Sequence, residues 1–340
     1  MLFWLLVIIA FFRTAPGWGW FYTRHIYPII GNVISPVSGC LPFAVGDIFI
    51  ACSIAWCILY PIYKRRKAAF GRVLEYLLWI YVWFYLAWGL NYSQPNIFHR
   101  VGMKPAEVSE AKFKAFAYRY ADSLNFYSER SAESYASLPY DSLKDKVKDA
   151  VLDGYQHIGT REGINTPFNS HPHAKTMFFS RLSSMAGVTG SMGPFFCEFT
   201  LNGDIRAHDY PATYAHEFAH FLGIANEGEA NFYSYLVCTA SSDKDVKFSG
   251  YYHIFFHVVN NVYQILGEKE GEAFLKHIRP EIIQMAKSDR EYWMDKRCKV
   301  LDDAQDFLFD LYLKGNHVEE GRKSYSGVIA LILAWEEKIL

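Results

Sequence analysis

The sequence predicts a mainly α-helical membrane protein: three N-terminal transmembrane helices followed by a helical outer domain with one small β element. Three observations carry that expectation. Of the 340 residues 51% are hydrophobic and 18% aromatic, while 20% are charged, short of the roughly one quarter usual in soluble domains. The shortage is concentrated before Tyr92, where Asp47 and Glu75 are the only acidic side chains. After Tyr92 the apolar residues recur at helical spacing almost throughout, with a single interruption rich in Gly, Val, Phe and Thr.

The membrane part is expected over residues 1–92. Met1 to Phe12 is apolar throughout and ends at Arg13, so a helix starting there extends toward residue 20; Leu41 to Tyr63 and Leu74 to Tyr92 follow. A hydrocarbon core of about 30 Å takes about 20 residues of helix, which the last two stretches supply. Between them lies Lys64-Arg65-Arg66-Lys67, with Arg72 just beyond. Short loops rich in Lys and Arg stay in the cytoplasm, so the second span runs inward and the third outward. Residues 93–340 then form an extracytoplasmic domain of a multi-pass cell-membrane protein. The first segment lacks a basic stretch before it and a clear A-x-A site after it, which favours a retained anchor over a cleaved signal peptide.

Six cysteines are scattered without CxxC spacing, which speaks against both a disulfide framework and a zinc–thiolate finger. The net charge of −1 provides no global field for an anionic polymer, so nucleic acid is not an expected partner. With three spans and no intramembrane charge pair, a transport pathway is not expected either. Nothing in the pattern sets an oligomeric state.

Within the outer domain Pro95 punctuates an exit linker from Asn91 to Val101. A helical pattern follows from Pro105 to about Ile158, opening with Glu107, Glu110 and Lys112 and carried by Phe113, Phe116, Ala117 and Tyr120. Thr160 to His173 reads as loop, with Gly163, Pro167, Asn169 and Pro172. Met185 to Leu201 reads as one or two short strands with alternating Phe196, Glu198 and Thr200. From Pro211 onward the pattern is helical again, broken near Gly223, Ser241 to Lys247, Gly267 to Gly271, Lys299 and Gly315.

The first of these C-terminal helices carries the chemistry. His216-Glu217-Phe218-Ala219-His220 is an HExxH. Residues four apart share a helix face, about 6 Å apart at Cβ, so both imidazoles can converge on one zinc ion. Glu217 follows the first histidine by one position and reaches a zinc-bound water rather than the metal, which makes it the general base. The motif is short enough to occur by chance on a solvated helix face; its context argues otherwise. Gly223 ends the helix three residues after His220, and Asn226-Glu227-Gly228-Glu229-Ala230-Asn231 opens another. A catalytic zinc takes three protein ligands and keeps a fourth position open. A carboxylate carried back by this next helix, Glu227 or Glu229, would supply the third. Asn231, four residues after Glu227, is placed to hold a ligand by hydrogen bond.

HEFAH followed by NEGEAN resembles the gluzincin clan of zinc metallopeptidases, in which a Glu on a following helix completes the metal site. That resemblance implies ligands His216, His220 and Glu227 with Glu217 as base. The six residues between His220 and Glu227 are fewer than in many members, and Asn231 stands where related enzymes have an Asp orienting the first histidine. The chain as a whole is similar to a bacterial family of multi-pass membrane proteins known only as a domain of unknown function. The passages that carry this second resemblance are Trp88-Gly89-Leu90-Asn91-Tyr92, HEFAHFLGIANEGEANFYSYLVC, Phe248-Ser249-Gly250-Tyr251 and a stretch around Lys323 to Tyr325.

Other roles are assigned more loosely. Phe195 to Leu201 is the candidate edge strand for pairing with an extended peptide, Gly193 allowing close approach. Tyr251, Tyr252 and His253 are the candidate donors to a developing oxyanion, with Tyr251 preferred. His208 and His257 are read as structural or surface histidines and Cys238 as a small core residue. The expected function is a membrane-anchored zinc metallopeptidase acting on a peptide or protein substrate. A non-catalytic zinc-binding scaffold or sensor is the alternative. An intramembrane protease is not expected, because polar residues flank the motif on both sides.

Overall fold

The computed structural model describes residues 1–340 except 16, 107–108, 132–139, 160–162, 169–173, 316–326 and 340. The sequence readings at Glu107, Thr160, Asn169, Pro172 and Lys323 to Tyr325 fall outside the described residues. Among those described, the α-helices in chain order are α1 (Leu2–Thr14), α2 (Trp18–Phe21), α3 (Tyr27–Gly39), α4 (Val45–Lys64), α5 (Lys67–Ala87), α6 (Ile97–Val101), α7 (Glu110–Ser131), α8 (Tyr140–Ile158), α9 (Ser180–Met185), α10 (Tyr210–Phe221), α11 (Glu227–Ala240), α12 (Lys244–His253), α13 (Phe255–Leu266), α14 (Glu268–His277), α15 (Pro280–Lys296), α16 (Lys299–Gly315) and α17 (Val328–Ile339). Three short strands, β1 (Ala174–Thr176), β2 (Gly190–Gly193) and β3 (Glu198–Leu201), form one sheet in the order β1-β3-β2. The protein is mainly helical.

At the centre lies α10, every residue of which is buried. Pro211 sits in its first turn, where a missing N–H costs nothing. Its apolar residues Tyr214, Phe218 and Phe221 pack against Phe199 of β3, with ring centroids 5.1 to 5.8 Å apart. Tyr155 of α8 packs its ring at a tilt on Phe218 and donates its hydroxyl to the Ala215 carbonyl. Helices α11 and α12 close the other side, where Ser234 donates to Ala212 O and Ser249 accepts from Ala212 N. The apolar face of α17 (Val328 to Ala334) is buried against α11 and α13.

Helices α4 and α5 form an antiparallel hairpin turned at Arg65, which takes the left-handed conformation with φ of 47°. The hairpin's basic turn lies at one end and the central helix at the other. At that second end Glu198 of β3 accepts from Gly46 N at the start of α4 (2.6 Å) and pairs with Lys175 of β1 (2.6 Å), whose ammonium also donates to Ser38 O at the end of α3. Both members of the pair are buried. The carboxylate lies at the positive end of the α4 dipole and the ammonium at the negative end of α3. One ion pair therefore anchors two apolar helices to the sheet.

The expectation of three spans needs correction. Among the described residues only α4 is both long and apolar enough to cross a bilayer. Helix α1 has 13 residues, too few alone, and the apolar pair formed with Trp18–Gly39 is bent by 107°. Helix α5 is long enough at 21 residues, but Arg72, Glu75 and its many Trp and Tyr residues dilute its apolarity. The stretch Trp18–Gly39, which sequence reasoning left unassigned, packs on the central helix instead: Tyr27 donates to Phe221 O at 2.6 Å, and a Cβ on Gly31 would collide with the Phe168 ring.

The β element also differs from expectation. Phe196 belongs to the turn, β1 was not anticipated, and β3 lies in the middle of the sheet. The free edge next to the central helix belongs to β2, whose register pairs Gly190 with Leu201 and Gly193 with Glu198. The reason lies in the Gly content. β2 has a Gly at each end and is only partly buried, whereas all four residues of β3 are buried, Phe199 and Leu201 on one face and Glu198 and Thr200 on the other.

Candidate metal centre

The turn after α10 builds the site. Gly223 adopts φ of 99°, a conformation open to Gly without strain. The chain then reverses, so that Asn226 caps α11 by accepting from Glu229 N at 3.0 Å. Because the connection is so short, the Ile224 carbonyl comes back onto the helix it has just left and accepts from His220 Nδ1 at 2.6 Å. His216 Nδ1 donates to Asn231 Oδ1 at 2.7 Å. Each Nδ1 thus carries its proton, and each Nε2 presents a lone pair.

Those two Nε2 atoms are 3.1 Å apart, and Glu227 Oε2 lies 3.1 Å from one and 3.5 Å from the other. Three acceptors facing one another require a cation among them. Ligands at about 2.0–2.1 Å from a tetrahedral zinc are separated by about 3.3–3.4 Å, close to the edges of this triangle. Without a metal, a proton takes that role. Burial disfavours charge on His220, but the Glu227 carboxylate outweighs it and pushes the imidazole up to about 9. Burial likewise works to raise Glu227, and the two imidazoles reverse it, holding the carboxyl well below the usual range.

Glu217 points into the cleft beside this triangle. Its pKa is raised by burial, against the pull of His216 and His220. Glu217 Oε2 is buried and has no hydrogen-bond partner among the described residues, a costly state for a carboxylate that meets neither water nor substrate. Gly190 of β2 lies directly over it, and a Cβ there would collide with the carboxylate. The surrounding cavity of about 630 Å³ is lined by His216, His220, Glu227, Glu217, the β2 edge, the end of α5 (Phe84 and Trp88), Arg297 and Asp302.

With this geometry in place, the relationship to known proteins has a site to attach to. Residues 22–333 match the profile of a family described as Protein of unknown function (DUF3810). The chain belongs to that family. No curated protein and no solved structure matches it.

In this DUF3810 chain the predicted residues separate cleanly. His216, His220 and Glu227 converge, Glu217 lies beside them, and Asn231 binds His216. Glu229 does not reach the triangle. It is turned to the other side of α11, where it accepts from Ile97 N at 2.8 Å and pairs with the buried Arg100 at 2.6 Å. Glu227 and Glu229 are two residues, or about 200°, apart on the helix, so they cannot share a face.

Tyr251 is also displaced from the site. Its ring stacks on Tyr127 at 5.6 Å, away from the cleft, while Tyr252 donates its hydroxyl to Asp289. Of the three candidates on this helix, His253 lines the cleft, donating from Nε2 to Asn231 Oδ1 at 2.9 Å. Burial and the neighbouring His216 and His257 hold it neutral, pushed down to about 3. His257, four residues on, lines the cavity too and is kept below the usual imidazole range by burial. His257 lies in α13, beyond the break at Ile254, so its four-residue spacing from His253 is not a helix-face signal of the HExxH kind.

Proposed function

We propose that this chain is a membrane-anchored, gluzincin-like zinc metallopeptidase, with His216, His220 and Glu227 as ligands, hydrolysing peptide bonds in the extracytoplasmic space. The observation that carries the reading is the triangle of three acceptor atoms at 3.1, 3.1 and 3.5 Å beside a buried, unpartnered carboxylate. When bound, zinc would act as a Lewis acid on the scissile carbonyl and bring the pKa of water toward neutrality.

The chain's own residues supply the rest. Glu217 Oε2 takes the proton of the attacking water and passes it to the departing amine nitrogen. Its raised pKa suits both halves of that transfer. The open edge of β2 offers backbone N–H and C=O groups to an extended peptide, and Gly190 and Gly193 let it approach. His257, neutral and facing the cavity, is positioned as donor to a developing oxyanion in place of Tyr251. Asn231 accepts from both His216 and His253, so it orients the ligand and the second cleft histidine together. We read α4 and α5 as entering the bilayer together as a hairpin; its basic turn then favours a cytoplasmic tip and a cleft on the outer side.

The decisive experiment measures metal content and cleavage of a quenched casein mixture by the purified protein, with and without a chelator, for the wild type and Glu217→Gln. One equivalent of zinc, chelator-sensitive cleavage and a dead but zinc-loaded variant are expected. Zinc without cleavage by the wild type would replace the enzyme with the scaffold reading, and turnover by Glu217→Gln would exclude the mechanism.

A further inference from the structure

The cleft lies where the apolar helices meet the sheet. Phe84 and Trp88, at the end of α5, form one wall of the cavity, and Trp88 Nε1 donates to the carbonyl of the ligand His220 at 3.0 Å. The turn that follows β2, with Pro194 and Phe195 in the cavity wall, is wedged between the two helices of the hairpin. Phe195 packs on Phe49 of α4 at 5.1 Å, and its carbonyl accepts from Trp83 Nε1 at 2.9 Å. The hairpin leading away from this wall exposes Ile54, Ile58, Leu59, Ile62, Phe70 and Leu74, each more than half accessible. Such a surface is at home in lipid and costly in water.

A second, separate observation puts the bilayer surface at the same level. Phe178, Phe179 and Leu182, on the segment leading into α9 and in its first turn, are 59%, 41% and 53% exposed. They belong to the sheet domain, yet Phe178 N donates to Asp47 Oδ2 in the first turn of α4. An apolar collar on the domain therefore continues the exposed apolar face of the hairpin. With the collar at headgroup depth, the cleft opens at the membrane surface.

We infer that the substrate is a membrane-spanning polypeptide, cut within the first few residues outside the bilayer, and that the collar sets this depth. The inference rests on the peptidase reading above. A strand leaving the bilayer next to α5 meets the β2 edge after a short extended run, whereas a site far along a flexible chain must find the cleft by diffusion.

The test uses the full-length protein in phosphatidylethanolamine–phosphatidylglycerol vesicles. The probe is a casein-derived segment cut in detergent, fused behind a single-span helix. A spacer of about 5 residues holds the segment within about 17 Å of the bilayer. We expect cleavage at least about ten-fold faster than behind a flexible spacer of about 30 residues, from the fall of effective concentration with linker length. The free segment in the same vesicles should be slower still. Rates that ignore the spacer, or rise with it, would overturn the inference while leaving the peptidase intact. No cleavage in any format by zinc-loaded protein would remove the peptidase reading and this inference with it. A triple variant, Phe178→Ser, Phe179→Ser and Leu182→Ser, changes only exposed positions. It should cut the free segment in detergent at the wild-type rate and lose the spacer preference; an intact preference would refute the collar's part.

Discussion

Two clusters of His and carboxylate side chains lie within the same molecule, and both bring three potential metal-ligating atoms within 4.8 Å of one another. The first is His216, His220 and Glu227; the second is His208, Asp209 and Asp289. They differ in where the hydrogens are. In the second, Asp289 accepts from Arg206 at 2.6 Å, from His208 at 2.9 Å and from the Tyr252 hydroxyl. Its acceptors already have donors, and the cluster ties α15 to the segment before α10 and to α12. In the first, both imidazole protons point outward to Asn231 and Ile224, so lone pairs face lone pairs. Proximity of ligating atoms is common to both clusters; unspent acceptor capacity, which a cation would satisfy, is found in the first.

The comparison is broken most severely by Glu217→Gln. Hydrolysis should fall by about 10²–10⁴-fold, the usual contribution of a general base, with zinc content unchanged by atomic absorption. Next come the two glutamates of α11. Glu227→Gln should lose zinc at micromolar free metal. Glu229→Gln should keep zinc but lose about 3–5 kcal/mol of unfolding free energy in a denaturant titration, because the buried Arg100 charge is left unpaired. Zinc loss in Glu229→Gln without loss of stability would exchange the roles assigned here.

Asn231→Ala and Asp289→Asn sharpen the contrast between clusters. The first removes the acceptor that orients His216 and should weaken zinc affinity by about 10–100-fold in a chelator competition. The second should leave zinc affinity unchanged and cost about 1–3 kcal/mol of stability through donors left without a full partner.

The smallest effect concerns pH. Burial, with Asp289 adding to it and His208 and Arg206 opposing, pushes Asp209 up to about 6. A raised carboxyl favours the protonated form when folded. Its contribution to stability is therefore complete below the ordinary carboxylate range and lost as pH rises through about 6. Asp209→Asn should remove this decline, so that the stability difference between variant and wild type changes by about 1–3 kcal/mol between pH 4 and pH 7. A difference independent of pH would show that Asp209 is ionised throughout.

Much of the site was legible because it is local. The i, i+4 spacing of His216 and His220, the Gly223 stop and the N-E-G-x-A opening of α11 are consequences of helix geometry over fifteen consecutive residues, and His216, His220 and Glu227 converge as the spacing implies. The mainly helical class and the breaks at Gly223 and Gly267 were legible for the same reason, since periodicity and left-handed glycines act within a turn or two. Tyr251 was misplaced because, on a helix whose rotation is set by α7 and α11, neighbouring positions point in different directions, and the residue that faces the cleft is His253. The third span fell short of the apolarity a bilayer crossing takes because Arg72, Glu75 and the Trp and Tyr residues of α5 lower its hydropathy.

What the amino-acid sequence determined by itself is the local apparatus: two imidazoles on one helical face, an acid between them, a carboxylate at the first position of the next helix and a basic turn between apolar helices. The fold decided the relations across long separations. It chose Glu227 over Glu229 by giving the latter to Arg100, made β2 the open edge, brought His253 and His257 to the cleft and set that cleft against the end of α5. The physical reason is range. Backbone periodicity and capping act over a few residues, whereas which carboxylate meets a guanidinium and which faces the two imidazoles is settled only when segments more than a hundred residues apart are packed together.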